Sequence, residues 1–137
     1  MFDRFVIVGA AVSLLFVSAL AKGADSAPAP GAAKGGKVLR HVVLFKFKET
    51  ATPQQVEEVV RAFKALKDKI DVMVDFEYGT DVSTENRSQG FTHCFLATFR
   101  DDKGRDAYLV HPDHKAFGAL VGPRLDKVLV VDYWTEK

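Results

Sequence analysis

The chain has 137 residues, and its 19 lysines and arginines nearly balance its 18 aspartates and glutamates, so the net charge of +1 gives no electrostatic footprint for nucleic acid. The length suits one domain rather than two. A hydrophobic fraction of 47% with 11 phenylalanines implies a globular core or interface rich in aromatic rings, and the single cysteine, Cys94, excludes an intrachain disulfide and reads as a small buried hydrophobe in a strand.

The first signal along the chain is an address. An apolar run from Phe5 to Ala21 follows Arg4 and ends in Ala19-Leu20-Ala21, the small-x-small pattern of a signal peptidase site. It predicts a signal peptide over residues 1–21, cleaved after Ala21, and a secreted or periplasmic protein. Left uncleaved, a run of roughly 17 residues is the minimum for a membrane anchor, the one route to membrane contact. Lys22 to Lys37, rich in Ala, Gly and Pro, has almost nothing to bury and is expected to be a disordered linker. The folded domain is expected over residues 38–137.

Within the domain, Val38 to Lys48 alternates as a strand. His41, Val43, Phe45 and Phe47 share one face, and Val42 and Leu44 make the middle of the other apolar as well. Thr52-Pro53-Gln54-Gln55 has the form of a capped helix start, and Val56, Val59, Val60, Phe63, Leu66 and Ile70 follow at helical spacing, with an end near Lys69. A second strand is expected from Val72 to Gly79, a polar loop to Gly90, and a third strand from Phe91 to Arg100. Asp101-Asp102-Lys103-Gly104 opens a short helix through Val110, and Pro112 starts another that runs to about Val121 and stops at Gly122-Pro123. Lys127 to Thr135 alternates as the last strand, with Leu129, Val131 and Tyr133 on one face and Val128, Val130, Asp132 and Trp134 on the other.

This order, β-α-β-β-α(α)-β, is that of an α+β ferredoxin-like split βαβ sandwich, an antiparallel sheet with helices on one face. A sheet apolar on both faces but covered on one leaves a surface that a second copy would bury, so a homodimer is expected through the sheet face.

Chemistry concentrates in Tyr108-Leu109-Val110-His111-Pro112-Asp113-His114, which holds two of the chain's 4 histidines beside a phenol. An imidazole at His114 can remove an acidic proton between two carbonyls, and the Tyr108 hydroxyl can donate to the developing enolate oxygen. The same side chains can instead lock the turn around Pro112 by hydrogen bonds to backbone groups. His111 and His114 flank Asp113 at a spacing zinc sites use, but no third ligand is defined, so no metal and no cofactor are expected. His41 and His93 sit in apolar runs, as core histidines do, and Asp132 can orient His41 if the first and last strands pair. No phosphate loop or nucleophile elbow is present.

The segments His41–Lys48, Asn86–His93, Tyr108–His114 and Val128–Tyr133 together resemble the Dabb family, the stress-responsive dimeric α/β-barrel domain, over Val38 to Trp134. The resemblance implies a homodimer whose two sheets form a barrel. It also implies a site. In a plant polyketide cyclase of the family, which works by aldol condensation, the catalytic tyrosine and histidine fall on Tyr108 and His114. Its pocket histidine falls on His41 and its last-strand aspartate on Asp132. A pocket tyrosine falls on Phe63, where the hydroxyl is missing. With His111 added, these residues form the expected ligand pocket. The missing hydroxyl and the export signal favour a non-catalytic, stress-associated module that binds a small apolar molecule. The alternative is a cyclase-like acid–base enzyme, or related lyase, using His114 and Tyr108.

Overall fold

A computed structural model describes residues 36–136, so the expected signal peptide and all but the end of the expected linker lie outside the described residues. The elements are β1 (Lys37–Phe47), α1 (Pro53–Lys69), β2 (Asp75–Thr80), β3 (His93–Phe99), α2 (Asp102–Val110), α3 (Pro112–Val121), a 3-10 turn (Gly122–Arg124) and β4 (Leu125–Glu136). The four strands form one antiparallel sheet in the order β2-β3-β1-β4. This is the ferredoxin-like α+β fold.

Period-two alternation sends His41, Val43 and Phe45 of β1 and Phe95, Ala97 and Phe99 of β3 into the helix-covered face, all of them buried. Helix α1 begins where the sequence places it. Thr52 accepts from Gln55 N–H, the Gln55 side chain accepts from Thr52 N–H, and Pro53 occupies the first turn, where a missing N–H costs nothing. Its apolar stripe buries Val59, Phe63 and Leu66 against the sheet. Phe63 is the hub, its ring 4.5 Å from that of Phe117 and 4.6 Å from that of Phe95, centroid to centroid. Full burial of one such ring stabilises the fold by about 1.5–3 kcal/mol.

Three segments depart from expectation. Val72–Val74 is expected to open the second strand, but Met73 N–H bonds Ile70 O and the chain turns there, burying Ile70 and Met73 in the core before β2 begins at Asp75. Phe91 lies ahead of β3 in a turn closed by its N–H to Ser88 O; Gly90 there has φ +83°, and an added Cβ would meet Lys46 Cε at 2.8 Å. The last strand starts earlier than the expected Lys127: α3 ends at Val121 with Gly122 as its C-cap, as expected, and a 3-10 turn over Gly122–Arg124 delivers the chain directly into β4 at Leu125.

No described helix packs on the other sheet face. Leu129, Val131 and Tyr133 of β4 are 40%, 48% and 45% exposed, and they continue Val42, Leu44 and Leu96 of the neighbouring strands. Cys94, expected buried, is exposed, because it belongs to this face and no element among the described residues packs over it.

Candidate ligand pocket

The β1–β4 register sets the frame of the site. His41 stands directly opposite Asp132, and its Nδ1 lies 2.6 Å from Asp132 Oδ1. Helices α2 and α3 close over the same end of the sheet. Their junction is His111, in extended conformation (φ −62°, ψ 138°), and Pro112 cannot continue the helical hydrogen bonding of α2. The break turns the chain so that the rings of Tyr108 and His114 come within 4.2 Å, centroid to centroid.

A cavity of about 350 Å³ lies between these parts. Val43, Phe45, Phe63, Phe117, Val128 and Val130 supply much of its apolar wall, and His41, Tyr108, His114 and Asp132 supply its polar groups. Larger surface grooves near Gln55 and Arg124 and near Asp71 and Arg100 contain none of the histidines.

Each polar group has a distinct environment. The Tyr108 side chain is wholly buried, and its hydroxyl is the buried side-chain atom that lacks a hydrogen-bond partner among the described residues. Burial pushes that phenol well above its ordinary range, so it is a donor and not a phenolate. His114 Nδ1–H donates to Leu109 O at 3.2 Å, which leaves Nε2 as the acceptor of the neutral ring. Burial holds the His114 imidazole below its usual value, outweighing the Leu109 carbonyl, and repulsion from His41 and His111 adds to the effect. For Asp132, burial alone would raise the carboxyl, but hydrogen bonds from His41 and Arg105 bring it below the ordinary carboxylate range. It is therefore ionised and can only accept, so His41 carries its proton on Nδ1.

The structure thus brings together Tyr108, His114, His41, Asp132 and Phe63. Phe63 contributes ring surface alone. His111 is not part of the lining. Its Nδ1 accepts from Asp113 N–H at 3.2 Å and caps α3, the turn-locking role open to it from the sequence. His93 lies away from the cavity, its ring 5.2 Å from that of Phe47, and burial lowers its imidazole too. Among the described residues no group of three or more His, Cys, Asp or Glu side chains is placed to hold a metal. Sequence reading missed Arg105 and the β4 valines. The valines were on the right face of the right strand, and Arg105 stands one helical turn before Tyr108.

An aromatic-walled cavity with an unpartnered phenol and two imidazoles, set beneath the split helix of a ferredoxin-like sheet, defines the class. Residues 39–135 match the Stress responsive A/B Barrel Domain, and the chain belongs to that family, Dabb. It is 40% identical over 95 residues to the stress-response A/B barrel domain-containing protein HS1 of Arabidopsis thaliana, covering 69% of this chain and 87% of that one. It is 32% identical over 99 residues to olivetolic acid cyclase of Cannabis sativa, covering 72% and 98%. A dimeric ferredoxin-like protein of unknown function from Thermobifida fusca superposes with a TM-score of 0.63 at 31% identity, covering 72% of this chain and 91% of that one.

Proposed function

We propose that the protein is an exported Dabb homodimer whose cavity binds a small, largely apolar molecule through a carbonyl oxygen. It is a binding module of the stress-associated kind rather than a dedicated enzyme. The observation that carries this reading is the Tyr108 hydroxyl, buried without a partner at the wall of an apolar cavity. Leaving such a donor unsatisfied costs about 1–3 kcal/mol, and a bound carbonyl oxygen supplies the missing acceptor. Export rests on the apolar run ending at Ala21. The homodimer is supported by the uncovered apolar sheet face and by the dimeric state of the Thermobifida relative.

Ethyl butyrylacetate, an aliphatic β-keto ester, is a suitable probe. Calorimetric titration should show saturable binding, weakened about three- to ten-fold in Tyr108→Phe, as for the loss of one neutral hydrogen bond. Equal affinity in the two proteins overturns the reading.

A second reading is favoured by the 4.2 Å approach of the Tyr108 and His114 rings and by the similarity to olivetolic acid cyclase. His114 Nε2 would take a proton from a carbon between two carbonyls while Tyr108 donates to the enolate oxygen. The carbanion would then attack a second carbonyl of the same chain, forming a carbon–carbon bond, and the new alkoxide would take up a proton. Deuterium exchange at the activated methylene of ethyl butyrylacetate tests the first step. Acceleration above buffer that disappears in His114→Gln supports it, and exchange at the buffer rate rejects it.

A further inference from the structure

Asp132 has a second partner. Arg105 of α2 donates from Nη1 to Asp132 Oδ2 at 2.5 Å and from Nε to Asp106 Oδ1 at 2.7 Å. Its planar fork therefore ties the helix to the edge strand, and both carboxylate oxygens of Asp132 are occupied, one by His41 and one by Arg105. The need for such a clamp is physical. The Asp132 side chain is 27% exposed on a strand with a neighbour on one side only, so a lone carboxylate there could turn toward water. Neutral imidazole left free in water favours the hydrogen on Nε2. The His41 ring is buried and stands 5.8 Å from that of Tyr108, centroid to centroid.

We infer that Arg105 is a positioning residue for the pocket: by clamping Asp132 it fixes His41 with its hydrogen on Nδ1, so that His41 Nε2 meets the ligand as an acceptor near the Tyr108 donor. This rests on the ligand-binding reading above and narrows it. A molecule that satisfies both groups carries a hydroxyl as well as a carbonyl, a few ångströms apart, so the ligand class is a hydroxy-carbonyl compound rather than a simple ketone. Losing the clamp releases Asp132, lets the His41 hydrogen move to Nε2, and replaces an acceptor with a donor.

The test has two arms on the full chain. Ring-nitrogen NMR of His41 at mildly alkaline pH, without ligand, compares wild type with Arg105→Met and Arg105→Lys. Wild type should show hydrogen on Nδ1 alone, Arg105→Met a mixture shifted toward Nε2, and Arg105→Lys a partial return. Unchanged ring signals in Arg105→Met overturn the positioning role, as does a wild-type ring with its hydrogen on Nε2. In the second arm, α-hydroxyacetophenone is titrated against acetophenone. Wild type should prefer the hydroxyketone about three- to ten-fold, and Arg105→Met should lose the preference. No preference in wild type overturns the assigned ligand class. If neither compound binds, the pocket reading itself fails, while the ring signals still decide the role of Arg105.

Discussion

His41 and Asp132 face one another because the β1–β4 ladder puts them in register, so their 2.6 Å contact is held by backbone pairing as well as by charge. Breaking it strands a buried donor. Asp132→Ala should lower the unfolding free energy by about 1–3 kcal/mol in a urea titration. The contact also has a pH signature. The folded carboxyl is shifted down, so its contribution is present above the unfolded value of about 3.9 and is lost as pH falls through the folded value. Asp132→Asn should remove that part of the acid limb.

Tyr108 gives the sharpest contrast between packing and purpose. Tyr108→Ala opens a large hole beside Phe99 and His41 and should cost about 3–5 kcal/mol. Tyr108→Phe keeps the ring and removes an unsatisfied hydroxyl, so stability should hold or rise by roughly 0.5–1 kcal/mol while probe affinity falls. A stability loss above about 2 kcal/mol in Tyr108→Phe would mean that the hydroxyl has a structural partner after all.

His114 should make stability depend on pH near neutrality. Its folded imidazole is shifted down, so its contribution is complete above the unfolded value of about 6.5 and is lost as pH falls through the folded value. His93 acts in the same sense. His114→Gln should therefore reduce, and not abolish, the rise in denaturation midpoint with pH across this window. An undiminished slope would assign the whole effect elsewhere.

Val131 projects from the middle of the uncovered sheet face and is 48% exposed. In light scattering the parent should give twice the chain mass at micromolar concentration. Val131→Arg buries a charge at that contact and should yield a folded monomer, since nothing among the described residues of one chain packs on the site. A parent that is monomeric removes the sheet-to-sheet argument.

Much of this architecture was legible because alternation, capping and helical spacing are local. Thr52-Pro53 and Gln55 announce α1, and the faces of β1, β3 and β4 follow from period two. The misreadings share a cause: burial is decided by what packs on top. Val72–Val74 has strand composition, yet a turn closed by Met73 N–H to Ile70 O lets Met73 plug the core. Cys94 was placed on the correct face, but no described element of the chain covers it there. At the site, Tyr108 and His114 were visible as residue types, but their approach depends on the angle imposed at His111-Pro112. Arg105 reaches across 27 positions to Asp132, a contact that only the docking of α2 against the edge strand creates.

Strand β4 works like a double-sided key. One set of teeth, Val128, Val130 and Asp132, closes the cavity, and the alternate set, Leu129, Val131 and Tyr133, shapes the opposite surface. Among the described residues the strand pairs with β1 alone, and the 3-10 turn leads straight into it, with one break in the ladder between Lys46 and Phe47 where Asp126 is passed over. A single residue inserted at Gly122–Arg124 without a compensating bulge would slip the pairing by one and exchange the sets, putting Val131 or Tyr133 opposite His41 and turning Asp132 to the far side. Pocket and outer surface are thus one inheritance. Variation by substitution can tune either set of teeth separately, whereas any change of length at that corner recuts both at once.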